Sequence, residues 1–229
     1  MNRIQIALAI ALLTVARPAL PDPLSDLRSF SAPLAQLYES NPAQDAQLRI
    51  YARSQDFTDP HEELAVVTHE LIHIASAAHA GYWVHGTIYE GYGRTYWTGI
   101  EAGDVEATAG ERDQMAAILN NYWERNPAND LGNVIDELNA YSETGGFVCK
   151  YAPARSGRQT GPLLGHLTLA NAFLRAFRVR APQRYAELQA NPATRGILGS
   201  MVQQSYRTLA NCGIRKIGHQ EEIKSFMGW

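Results

Sequence analysis

The chain has 229 residues, 45% of them hydrophobic, and a formal net charge of -3 at pH 7. That length suits one domain with a sizeable core. Lys and Arg are scattered rather than gathered in a stripe, which argues against nucleic acid as a partner.

At the N-terminus, Met1-Asn2-Arg3 puts a positive charge ahead of a mostly apolar run from Ile4 to Ala16, relieved only by Gln5 and Thr14. This is the layout of a secretory signal peptide, and the run falls short of the roughly 20 apolar residues of a membrane span. Residues 1–19 are therefore expected to be a signal peptide and 20–229 the mature domain, exported to the periplasm or secreted, with no stable membrane span after signal removal. Two cysteines, Cys149 and Cys212, have no CxxC spacing, and in an exported chain they are expected to form a disulfide.

Proline-rich sequence leads to Pro23, followed by a short helix around Leu34 to Tyr38. Arg49 to Ser54 alternates polar and apolar residues, which predicts a strand. Asp59-Pro60 with Glu62 supplies an N-cap, a first-turn proline and a capping-box acid, so a helix should start near Pro60 and run to a cap at Gly81. Tyr82 to Gly103 is rich in Tyr, Trp, Gly and Thr and reads as a hairpin or ordered loop. Helical patterns return over Glu111 to Arg125, over Asn133 to Thr144 with Gly145-Gly146 as the stop, over Leu163 to Val179 and over Thr194 to Ala210. The expected class is α+β: a predominantly helical domain with a small sheet preceding the helix that starts at Pro60.

The chemistry concentrates in His69-Glu70-Leu71-Ile72-His73. Two histidines four apart on a helix differ by about 40° around the axis and about 6 Å along it, so both imidazoles can reach one metal ion. Glu70 then projects beside that ion, where it can take a proton from water activated by zinc and later pass it to a leaving nitrogen. Apolar Val66, Val67, Leu71, Ile72 and Ile74 surround the motif, which is not the setting of a solvated helix face.

The segment Val66 to Ala75 resembles the active-site helix of the zincin metallopeptidases. The resemblance implies a Zn2+-dependent hydrolase with His69 and His73 as metal ligands and Glu70 as general base. It covers about ten residues and one distant candidate ligand, and Ser76 departs from the extended pattern.

A third ligand is required, and the residues offer competing candidates. His79 lies where the metzincin branch has its third His, but the glycine of that branch is replaced by Ser76. A helix that continues through Ala75-Ser76-Ala77-Ala78 carries His79 about 9 Å beyond His73 along the axis. The gluzincin branch takes a Glu from a downstream helix. Glu137 fits that role and is favoured, with His79 or another acid such as Asp136, Glu90 or Glu101 as alternatives. Tyr141 stands where thermolysin-like members carry an acid that supports a His ligand, and with Glu70 it is the candidate catalytic pair.

The aromatic stretch Tyr82, Trp83, Tyr89, Tyr92, Tyr96 and Trp97 is expected either to line the substrate cleft or to pack in the core, and His85 shares that ambiguity. His61, His166 and His219 read as surface or core histidines. The function expected is peptide-bond hydrolysis of a peptide or protein substrate. A zinc amidase acting on cell-wall material and a catalytically silent zinc-binding module are the rivals, the second disfavoured by the base beside the ligand.

Overall fold

The computed structural model describes residues 22–229, so the signal peptide expected over 1–19 lies outside it. The described chain is mostly helical with one two-stranded antiparallel sheet, an α+β arrangement. Three short helices, α1 (Pro23–Phe30), α2 (Ala32–Glu39) and α3 (Pro42–Ser54), lead into α4 (Pro60–Ala78). Each of the four begins with proline in its first turn, where the missing N–H costs nothing. Asp59 caps α4 by accepting from the backbone N–H groups of His61 and Glu62.

Two expectations fail here. Arg49 to Ser54 is helix, not strand, and the sheet follows α4 instead of preceding it. The helical spacing has a clear consequence: Arg49 and Arg53, four apart, share one face of α3 and both bind the buried carboxylate of Glu63 on α4. Alternation over six residues was too short a signal to outweigh that pairing.

The sheet is a hairpin of β1 (Gly81–Val84) and β2 (Thr87–Glu90), paired from Gly81 with Glu90 to Val84 with Thr87. Its two-residue turn, His85-Gly86, has φ of 50° and 85°, the left-handed values a hairpin of this length needs. A 3-10 turn over Arg94–Trp97 follows. The helix expected over Glu111 to Arg125 is instead α5 (Ala109–Gln114) and a separate π-helical turn at Asn120–Glu124. A capping box of Thr108 and Glu111 starts α5, and beyond it Met115 and Ile118 turn into the core.

Helix α6 (Leu131–Tyr151) is the centre of the fold and packs against α4, α7 (Gly157–Arg180) and α9 (Pro192–Asn211). The remaining helices are α8 (Pro182–Ala190) and α10 (Glu221–Met227). Asp130 caps α6 by accepting from the Asn133 backbone N–H, so the helix starts at Leu131, two residues before the expected Asn133. The helix also runs straight through Gly145-Gly146. A Cβ at Gly145 would lie 3.2 Å from the Thr208 methyl, and one at Gly146 would lie 3.0 Å from the Phe30 ring. These glycines therefore allow close helix packing and do not stop the helix.

Buried apolar residues form two clusters joined by α6, which gives Val134, Ile135 and Leu138 to one and Ala140, Phe147 and Val148 to the other. Each fully buried side chain of Leu or Phe size contributes roughly 1.5–3 kcal/mol. Among the described residues, no helix is long and apolar enough to cross a membrane.

Cys149 near the end of α6 is bonded to Cys212 after α9, with Cα atoms 5.3 Å apart. The bridge closes a loop of sequence separation 63, for which chain entropy suggests about 4 kcal/mol as an upper figure. Replacing both cysteines by serine should lower the urea midpoint, with a loss of about 2–4 kcal/mol in unfolding free energy. An unchanged midpoint would show that the bridge adds nothing to stability.

Candidate metal centre

Helices α4 and α6 cross so that His69 and His73 of one meet Glu137 of the other. The ligand atoms of these three residues all lie within 4.8 Å of one another. His73 Nε2 is 3.1 Å from His69 Nε2, and Glu137 Oε2 is 3.4 Å from the first imidazole and 3.7 Å from the second. Three donors around a tetrahedral zinc, with bonds of 2.0–2.2 Å, should be separated by roughly 3.3–3.5 Å. The observed edges, 3.1, 3.4 and 3.7 Å, bracket that spacing to within about 0.2 Å.

The chemistry of the donors agrees. Two imidazole nitrogens and a carboxylate oxygen converge on one point, and one shared proton can join only two of them. Glu137 Oε2 is buried and accepts no hydrogen bond, an arrangement that normally costs free energy unless a cation is there. Burial pushes the Glu137 carboxyl up, but the His69 and His73 imidazoles outweigh it and hold the group well below the ordinary carboxylate range. Burial pulls the His73 imidazole down, and Asp136 and Glu137 reverse this and lift it to about 10. The site therefore favours positive charge, and the donor set suits Zn2+.

Sequence neighbours Asp136 and Glu137 divide the work. Helical geometry turns successive residues by about 100°, so Glu137 faces the convergence point while Asp136 reaches the back of His73. Asp136 Oδ2 accepts the His73 Nδ1–H at 2.6 Å, which fixes that ring with Nε2 toward the convergence point. This supporting acid comes from the residue before Glu137, not from the position four residues after it, which is Tyr141.

Tyr141 enters the site through its ring. It lies against His69 with centroids 4.5 Å apart at 68°, and stacks on His166 at 5.5 Å and 21°. Burial, with the charges of Glu137 and Glu70, raises its phenol well above the usual value, so the hydroxyl keeps its proton. His166 is a core histidine: its Nδ1 donates to the Pro162 carbonyl at 2.9 Å, and burial lowers it to about 4. Glu70 is half-buried and stands outside the triangle.

Sequence reading missed Tyr51. On α3 and 45% exposed, its phenol is raised by burial and then by the carboxylates of Glu70 and Glu137, so it belongs to the same electrostatic neighbourhood. Placing Tyr51 on a strand hid it, since only the helical α3 aligned along α4 brings it there.

His79 is not at the site. Helix α4 continues to Ala78, and His79 caps it while facing Glu90 across an exposed 3.3 Å contact. Glu90 is on the hairpin and Glu101 bridges Asp130. The aromatic stretch divides: Tyr82, Trp83 and Trp97 are buried, and the Tyr82 hydroxyl donates to the Gly132 carbonyl at 2.9 Å, so these three are core. His85 is pinned at the hairpin tip, where its backbone N–H donates to Glu143 Oε1 at 2.9 Å and its Nδ1 lies 2.7 Å from the same oxygen.

In a zinc titration, Glu137→Ala should weaken binding by orders of magnitude, and His79→Ala should leave affinity nearly unchanged. The opposite pattern would move the third ligand to His79. Compared with protein-family models, curated proteins and solved structures, the chain finds no match.

Proposed function

We propose that the chain is an exported zinc-dependent hydrolase that cleaves peptide bonds. The observation that carries the reading is a three-donor cluster of tetrahedral dimensions, His69, His73 and Glu137, with a carboxylate outside the donor set at the adjacent position, Glu70. The resemblance of His69-Glu70-Leu71-Ile72-His73 to the zincin motif supports it. Export is supported by the charged and apolar N-terminal sequence together with the Cys149–Cys212 disulfide.

Zinc held by the trio would supply Lewis acidity, bringing the ionisation of water toward neutral pH and polarising a carbonyl. Glu70 then serves as the proton carrier, accepting from the attacking water and donating to the leaving amine. Tyr141 and Tyr51 both keep their phenolic protons, and a protonated phenol can stabilise negative charge developing on a carbonyl oxygen. Asp136 holds His73 in orientation, and Tyr141 packs the face of His69. A purely structural zinc site has no use for a base beside its ligand, so Glu70 favours turnover over silent binding.

Glu70→Gln should retain stoichiometric zinc while hydrolysis of a peptide mixture falls by about 10²–10⁴-fold. Removal of metal by a chelator should abolish cleavage, and added zinc should restore it. Zinc binding without any cleavage by the wild-type protein would replace this reading with a binding module, and cleavage of cell-wall amides alone would redirect it to an amidase.

A further inference from the structure

Arg94 belongs to neither the donor set nor the proton carrier, yet it is bound to the same support. Its Nε and Nη2 both donate to Asp136 Oδ2, at 2.9 and 2.5 Å. That oxygen also accepts the His73 Nδ1–H. Asp136 is 1% exposed and its other oxygen, Oδ1, is buried with no hydrogen-bond partner. All compensation for this buried carboxylate therefore enters through one oxygen, from Arg94 and His73.

The two partners are not equivalent. His73 reaches Asp136 through a single ring N–H, whereas a guanidinium presents several donors in a fixed planar fork. A guanidinium also carries a permanent charge. Loss of opposite charge from a buried carboxylate is costly, so Arg94, with two N–H groups on Oδ2, is the fixed charge that holds Asp136 against His73.

The backbone around Arg94 is built for this contact. Gly132 of α6 lies directly under it, and a Cβ there would come 2.1 Å from the Arg94 carbonyl oxygen. At Gly93 a Cβ would lie 2.7 Å from the Ala80 carbonyl carbon, just past the end of α4. The two glycines let the Arg94 turn sit directly on the backbone of α6 and on the short link between α4 and β1, with no flexible side chain between.

We propose that Arg94 is a positioning residue of the metal centre: through Asp136 it holds His73 with Nδ1–H directed away from the metal and Nε2 directed toward it. The inference rests on the metal-site reading above, not on the reaction assigned to that site.

Two measurements test it. In metal-free protein, imidazole-selective ¹H–¹⁵N spectra should show a slowly exchanging His73 Nδ1–H, assigned by its absence in Asp136→Asn. The signal should persist in Arg94→Lys, which keeps the charge, and should be lost in Arg94→Gln and Arg94→Ala. Gly132→Ala keeps every charge but collides with the Arg94 backbone, and should also lose it. In competition with a chromophoric chelator, Arg94→Gln should bind zinc about 10–100-fold more weakly. Arg94→Lys should recover much of the affinity, and Arg180→Ala, which removes an exposed arginine paired with Asp104, should match the wild type. An Arg94→Gln protein of native circular dichroism with an unaltered His73 signal and unaltered zinc affinity would overturn the proposal. If the wild type fails to bind zinc, the metal reading falls, while the His73 signal still decides whether Arg94 acts through Asp136.

Discussion

Where α4 crosses α6, two imidazoles and a carboxylate are buried against one another with their donor atoms 3.1–3.7 Å apart. Charged groups leave water only when opposite charge replaces it, because an isolated buried ion costs several kcal/mol even after relaxation. The surroundings follow from that constraint. Asp136 backs His73, Arg94 compensates Asp136, and Tyr141 covers His69 with a ring stacked on a neutral His166.

Such a site needs α6 held in one axial position against α4, since a shift of one residue along a helix is about 1.5 Å along the axis and 100° in direction. A polar stripe on α6 helps to fix it. Asp136, Asn139 and Glu143 fall at intervals of three and four residues and bind the Arg94 guanidinium, the Trp83 carbonyl and the His85 backbone N–H respectively. The hairpin and its following turn are thus fastened along α6 while β1 also packs on α4. The hairpin, which contributes nothing to the His69, His73 and Glu137 cluster, ties together the two helices that form it.

Apolar packing supplies the remainder of the constraint. The two buried clusters meet at α6, and the glycines at 132, 145 and 146 bring the Arg94 turn, α9 and α1 close to its backbone. Gly145 and Gly146 lie in the helix interior, where glycine lowers helix stability by roughly 1 kcal/mol relative to alanine. The close approach of α9 and α1 offsets that loss.

The sequence alone determined the parts of the protein that depend on near neighbours in the chain. The spacing of His69 and His73, the placement of Glu70, the start of α4 at Asp59-Pro60 and the helical character of α7 and α9 are all set within a few residues by the 3.6-residue period and capping chemistry. Glu137 could be singled out because an acid among Val134, Ile135 and Leu138 calls for a partner, and the pairing of two isolated cysteines was legible from their number. Tertiary structure decided the rest. Whether Arg49 to Ser54 is strand or helix depended on Glu63, which lies on another helix; whether Gly145-Gly146 ends α6 depended on Phe30 and Thr208, which press against it. Which of the adjacent acids faces His69 and His73 from the donor side and which backs His73, and that Arg94 and Tyr51 reach this region at all, depends on the angle and axial position at which the helices cross. Those quantities are properties of packing between distant segments, and no local pattern in the chain encodes them.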